Sequence, residues 1–174
     1  ILKYSALLND MTKQYAEDHN SVNMLKRAGF KAEVLPMPMD VGDLHELPQV
    51  HKFAVDLSPN YGPIFNVLQR SLPDVELTML TGAHKINDFT GLCHFHPDRT
   101  ISIGMKRAAL AGRWVISNVQ APFMGYIDDS RNLDLLIPEM VEKIRDAAFG
   151  EQDLSGRGYY STVSSVDKFK EAVA

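Results

Sequence analysis

Residues 52–80 contain the pattern that most restricts the fold of this chain. An apolar run at 52–57 precedes Ser58 and Pro59, a pair typical of a helix start, and a second apolar run occupies 75–80. A strand, a helix and a strand within about 30 residues form a βαβ unit with parallel strands and a right-handed crossover. The helix of this unit has one apolar face at helical spacing, made by Ile64, Phe65, Leu68 and Leu72.

Further apolar runs predict the rest of the sheet. Short strands are predicted at 91–96 and 100–104, joined by a hairpin or tight connection. A short helix is predicted at 105–111, and later strands at 114–119 and 123–127. The sequence therefore predicts an α/β to α+β fold. Its sheet is expected to be mixed, built on the 52–80 unit with further strands at 91–127.

Helices are predicted at both ends of the chain. Residues 2–18 have apolar side chains at helical spacing, and a second helix is expected to end at Gly29 in the left-handed conformation. Pro138 is predicted to begin a long helix, because proline suits a first turn. The Gly-, Ser- and Asp-rich stretch 150–164 is predicted to be loop, and 166–173 a terminal helix.

Three segments are expected along the chain. Residues 36–49 contain Pro36, Pro38, Gly42 and Pro48, a composition that excludes a regular helix or central strand. We therefore predict an N-terminal helical segment with a Pro- and Met-rich loop over 1–49. An α/β core domain follows over 50–150, and a loop and C-terminal helix occupy 151–174.

Composition restricts the partners and the compartment. The 174 residues include 18 Lys and Arg against 22 Asp and Glu, and the basic residues are dispersed, which disfavours nucleic acid as a partner. No apolar stretch reaches the roughly 18 residues that a membrane-spanning helix needs. Cys93 is the only cysteine, so an intrachain disulfide is excluded. A reducing compartment is predicted, either the cytoplasm or a particle assembled there.

His94 and His96 form the one chemically suggestive pair. In a strand, residues two apart share a face, so both imidazoles can reach one ion, and zinc is the metal expected. The third ligand is left open between His84 and Asp98. Cys93 lies on the opposite face and is predicted to be buried. The simpler alternative is that both histidines lie on the solvent face of an edge strand.

The segment Gly91-Leu92-Cys93-His94-Phe95-His96-Pro97 resembles the G-x-x-H-x-H-P element of the JAMM zinc isopeptidases. In that family the two histidines bind zinc, and a serine and an aspartate follow. Here those later positions hold Gly104 and Arg107. The resemblance therefore implies an inactive relative of these hydrolases, with Glu76 standing for the upstream glutamate.

The sequence is compatible with three functions. The preferred one is a non-enzymatic structural or assembly component that docks onto other protein subunits as a homo- or hetero-oligomer. It rests mainly on the absence of a complete catalytic set, and the methionine content and the amphipathic first helix also favour it. The alternative is a zinc hydrolase built around His94 and His96, with Glu76 or Asp88 as the base. The third is an anion-binding regulatory domain that uses His96 and Arg99.

Overall fold

The computed structural model describes residues 14–36, 38–39, 41–82, 84–130, 132–163 and 166–173. The chain divides into two compact units, one of residues 41–159 and one of residues 1–40 and 160–174. The strands are β1 Gln14–Ala16, β2 Ala32–Val34, β3 Lys52–Leu57, β4 Glu76–Met79, β5 Gly91–Phe95, β6 Trp114–Ser117 and β7 Gly125–Tyr126. The α-helices are α1 His19–Arg27, α2 Gly62–Ser71, α3 Ile103–Leu110, α4 Leu133–Phe149, α5 Ser155–Val163 and α6 Val166–Val173.

The larger unit is built on a five-stranded sheet in the order β4-β3-β5-β6-β7. Each neighbouring pair of these described strands is parallel. The α/β class and the βαβ unit at 52–80 are thereby confirmed, whereas the sheet, expected to be mixed, is parallel in its described strands. From β3 the chain passes to β4 on one side, and β5 then lies on the other side of β3. This is the strand order of doubly wound folds, in which ligands bind at the carboxyl ends of the strands where the order reverses.

The sheet is buried on both faces. Strands β3 and β5 are apolar along most of their length because helices cover each side. One face packs against α2 and α4 through a core that includes Phe53, Leu68, Phe95, Met140 and Ile144. Strands β5 and β6 also contact α3.

The smaller unit contains a second parallel pair. Strands β1 and β2 pair in parallel, from Gln14 with Ala32 to Ala16 with Val34, and α1 connects them. Asp18 caps α1, its side chain accepting a hydrogen bond from the Ser21 amide at 2.7 Å. After α1, Gly29 has φ of 91°, the left-handed conformation expected for it.

The predicted N-terminal helix at 2–18 falls mainly outside the described residues. Its last part is wrong, because residues 14–16 form β1. Among the described helices, none is long and apolar enough to cross a membrane.

Two other local predictions, on the segment after β5 and on the start of α4, are corrected. The strand predicted at 100–104 is wrong, because β5 leads into α3, which begins at Ile103 and returns the chain to β6 in parallel. The helix predicted at 105–111 is α3. Helix α4 begins at Leu133 and contains Pro138, and Asn132 caps it by accepting from the Asp134 amide at 3.3 Å.

The loop predicted at 150–164 contains α5. Glycine disfavours helices, and for this reason Gly156 and Gly158 pointed to a loop. A Cβ at Gly156, however, would lie 2.4 Å from the Cβ of Ala109 in α3. Close packing of α5 against α3 therefore requires glycine there, and this tertiary contact outweighs the helix propensity.

Candidate functional site

Asp56 joins the two histidines at the carboxyl end of the sheet. Asp56 and His94 are register partners on β3 and β5, so their side chains share one face. His94 Nδ1 lies 2.8 Å from Asp56 Oδ2, and His96 Nε2 lies 3.3 Å from Asp56 Oδ1. The two imidazole rings stack, with centroids 4.4 Å apart and planes 11° apart. We call these three residues the Asp56 triad.

The Asp56 triad is only partly open to solvent. The His94 side chain is 4% exposed, whereas those of His96 and Asp56 are 32% and 36% exposed. The hydrogen bond from His94 lowers the pKa of Asp56, and this effect outweighs partial burial, which acts in the opposite direction. An ionised carboxylate only accepts hydrogen bonds, so His94 donates from Nδ1 and His96 from Nε2.

A second group, the Asp129 network, holds together the loops that follow β3, β5, β6 and β7. The Asp129 side chain is 3% exposed and accepts hydrogen bonds from Tyr61 Oη, Asn118 Nδ2 at 2.7 Å and Arg99 Nη2 at 2.5 Å. Asn118 Nδ2 also donates to the backbone oxygen of His96 at 2.8 Å. Burial, and then the Asp129 carboxylate, raise the pKa of Tyr61 to about 12. The network thereby positions the backbone of one triad residue.

Arg99 has φ of 49° in this network, a left-handed backbone conformation that is uncommon for arginine. That conformation accompanies the bond from its guanidinium to Asp129. The sequence suggested His96 and Arg99 as a candidate anion site. In the structure each of them contacts a carboxylate: Arg99 contacts Asp129, and His96 contacts Asp56.

A cleft of about 610 Å³ opens beside Asp56. Its walls come from the end of β3, from the segment after β4 and from the N-terminus of α3. Two cationic side chains, Lys85 and Arg107, lie on these walls together with His84. The remaining lining residues are Leu80, Thr81, Gly82, Ile86, Asn87, Ser102, Ile103 and Gly104.

The structure brings together only some of the residues singled out in the sequence. His94 and His96 meet, but the group of described residues that could hold a metal contains Asp56 as its third member. His84 Nδ1 instead accepts from the Thr81 amide at 3.1 Å. Asp98 accepts a hydrogen bond from Thr100 Oγ1 at 3.0 Å.

The two candidate bases also lie apart from the histidines. Glu76 is at the amino end of β4, where it pairs with Lys52 Nζ at 2.8 Å. Asp88 lies in the 3₁₀ turn Ile86–Asp88, before β5. The edge-strand alternative is wrong, because β5 lies between β3 and β6 and His94 is buried.

Sequence reasoning missed Asp56, although a signal was present. It is the one acidic residue within the otherwise apolar part of β3, two positions before Ser58. A charge inside a buried strand is costly unless it is paired, so it points to a specific partner. That partner lies 38 residues further along the chain.

Cys93 is fully buried and faces the core, as expected. Burial raises the pKa of its thiol, so the reactive thiolate is suppressed. We predict that a thiol reagent such as dithionitrobenzoate will not label the native chain at neutral pH. Labelling should occur in denaturant. Fast labelling of the native protein would contradict this burial.

The comparisons with known proteins support a fold but no family. No protein-family model and no curated protein matches the sequence. Among solved structures, TarM superposes with a TM-score of 0.63 and 13% identity over 95% of this chain and 43% of its own. The pneumococcal O-GlcNAc transferase GtfA, solved with UDP and GlcNAc, gives 0.62 and 10% identity over 99% and 47%. The GtfA/B complex gives 0.57 and 11% over 92% and 44%. The chain thus spans under half the length of each.

These matches correct the functional interpretation. GtfA is an O-GlcNAc transferase, so the fold is one that an enzyme uses, and the preferred prediction of a non-enzymatic assembly component is wrong. The zinc hydrolase alternative finds no support among them. The JAMM positions Gly104 and Arg107 lie in α3, which follows the histidines as a helix of the doubly wound fold.

Proposed function

We propose that the natural protein containing this sequence transfers a sugar from a nucleotide donor, and that the larger unit of this chain, residues 41–159, contacts that donor. The observation that carries the proposal is the fold match to GtfA, which covers 99% of this chain and was solved with UDP and GlcNAc. The position of the cleft supports it. The cleft lies at the carboxyl ends of parallel strands where their order reverses, the place at which doubly wound sheets bind ligands.

The side chains on the cleft suit a phosphate-bearing sugar. Glycosyl transfer breaks the bond between the anomeric carbon and the diphosphate and forms a bond to an acceptor oxygen, which loses its proton. The diphosphate leaves with the electron pair, so cations that face it lower the barrier. Lys85 and Arg107 supply two positive charges, and the adjacent N-terminus of α3 adds a partial one.

Uncharged groups on the same walls suit the sugar itself. Thr81 and Asn87 offer hydrogen bonds to hydroxyl groups. Leu80 and Ile86 offer an apolar surface to the C–H groups of a pyranose ring. We therefore propose that this cleft contacts the nucleotide sugar.

The test is binding and turnover of UDP-GlcNAc by the natural protein. We expect saturable binding by calorimetry and release of UDP. Replacing both Lys85 and Arg107 with glutamine should weaken binding roughly tenfold to 100-fold, because two charge-assisted hydrogen bonds are lost. The matched control is Arg70→Gln, which removes an exposed arginine from α2, outside the cleft.

Two outcomes would overturn the proposal. One is the absence of binding to UDP-GlcNAc and to other nucleotide sugars. The other is binding that Arg70→Gln weakens as much as the double replacement does. The second result would show that net charge, and not the cleft, attracts the nucleotide.

Two finer expectations remain proposals. Association with another protein subunit is supported by the neighbour that was solved as a GtfA/B complex. Light scattering on the purified natural protein would measure this, and a monomer at every concentration would refute self-association. A cytoplasmic location is supported by the single, buried, unpaired cysteine.

A further inference from the structure

We propose that the Asp56 triad binds a divalent transition-metal ion of the zinc class, whether or not the protein transfers sugars. The donor set is two imidazole nitrogens and one carboxylate oxygen, a combination that suits Zn²⁺ and Co²⁺. The three ligand atoms lie within 4.8 Å of one another. No other group of three His, Cys, Asp or Glu side chains in the described part of the chain meets this criterion.

The distances are close to those of a coordination sphere. Zinc bonds to nitrogen and oxygen of about 2.0–2.1 Å place tetrahedral ligand atoms about 3.3 Å apart. His94 Nδ1 lies 2.8 Å from Asp56 Oδ2, and His96 Nε2 lies 3.3 Å from the other carboxylate oxygen, Oδ1. All three ligand atoms lie within 4.8 Å of one another and would draw closer around a bound ion. Each neutral imidazole then carries its proton on the other ring nitrogen.

The backbone around the site is already held in position. His94 lies on the central strand β5, in register with Asp56 on β3. Asn118 forms two hydrogen bonds with the backbone of His96. Its Oδ1 accepts from the His96 amide at 3.4 Å, and its Nδ2 donates to the His96 carbonyl. Ligands fixed in this way lose little conformational freedom on binding, which favours a specific site.

The site also has an open side. Asp56 lines the cleft, and the side chains of Asp56 and His96 are each about one-third exposed. An ion held by three protein ligands would therefore have a remaining position for water or for an oxygen atom of a ligand in the cleft. The alternative is a purely hydrogen-bonded triad, which would bind no ion.

The experiment is titration of the chelator-treated natural protein with Zn²⁺ by calorimetry and with Co²⁺ by visible absorption. We expect one ion per chain and cobalt d–d bands of a low-symmetry site. His96→Ala should weaken binding at least about 100-fold, since even indirect partners of a metal site contribute 10- to 100-fold. Asp56→Asn should also weaken it strongly, although asparagine retains hydrogen-bonding capacity. Circular dichroism verifies that each variant folds.

The matched control is His84→Ala. His84 lies on the same cleft but outside the Asp56 triad, so its replacement should leave the zinc affinity within a factor of about two. The proposal is overturned if the wild type binds no stoichiometric ion, or if His84→Ala weakens binding as much as His96→Ala. The readouts are ion content and absorption spectrum, and neither depends on sugar transfer. Metal binding can therefore be refuted while the proposed sugar transfer is confirmed, and sugar transfer can be refuted while metal binding is confirmed.

Discussion

Replacing Asp129 with alanine is expected to lower the free energy of unfolding by about 2–3 kcal/mol, because hydrogen bonds to a buried carboxylate are lost and a buried donor is left unpaired. The Asp129 carboxylate is nearly inaccessible and accepts hydrogen bonds from Tyr61, Asn118 and Arg99. Arg99 is 45% exposed and can turn to water, but Asn118 is 2% exposed and would be left with one unmade hydrogen bond, although its amide still donates to the His96 carbonyl. The main cost therefore comes from Asn118, the buried donor.

Urea denaturation of wild type and variant measures this difference, provided the slope with denaturant is unchanged. The control is Asp74→Ala, which removes an exposed ion pair with Arg145 at 3.8 Å and should cost at most about 1 kcal/mol. A second readout is the pKa of Tyr61. It should fall part of the way from about 12, because the effect of Asp129 is lost while burial remains. Equal costs for Asp129→Ala and Asp74→Ala would show that the network does not hold the loops.

Gly91→Ala is expected to destabilise the chain by about 3 kcal/mol or more, at the upper end of overpacking effects. A Cβ at Gly91 would lie 2.4 Å from two ring atoms of Phe53 and 2.9 Å from the backbone oxygen of Trp114. Both neighbours are register partners of Gly91, on β3 and β6. Since the strand is paired on each side, it cannot move away without disturbing the sheet.

A matched control is Gly104→Ala in α3, where the nearest heavy atom, Ser102 Oγ, would be 3.6 Å from the new Cβ. That change should stabilise the chain by about 0.5–1 kcal/mol through helix propensity. Combining Gly91→Ala with Phe53→Leu should cost less than the two separate effects together, because the smaller side chain makes room. Thermal or urea unfolding tests all three. A loss below about 1 kcal/mol for Gly91→Ala would contradict the tight packing of Phe53 on β5.

Local elements were predicted well where short-range chemistry defines them. Strand β3 was predicted with its observed bounds, Lys52–Leu57, and α6 at 166–173 was likewise correct. The left-handed conformation at Gly29 also agrees with the prediction. In each case an apolar pattern and an adjacent capping or stop residue contained the necessary information.

The predictions that were wrong depended on contacts between residues far apart in the sequence. Gly156 predicted a loop because glycine disfavours helices. In the structure it lies in a helix, since its close contact with Ala109 leaves no room for a side chain. The strand expected at 100–104 does not form and the helix predicted at 105–111 begins earlier, at Ile103, because burial on both faces of the sheet favours a parallel crossover. Neither cause is visible within a window of a few residues.

The candidate site divides in the same way. The sequence by itself determined that His94 and His96 share a face, because alternation along a strand is a local rule. Only the tertiary structure decided that Asp56 meets them, since the pairing of β3 with β5 spans 38 residues and depends on strand order. It also decided that Asp129, Asn118 and Tyr61 converge at the same sheet edge. Strand order is a property of the whole folded chain, because it depends on how all the apolar surfaces are buried together.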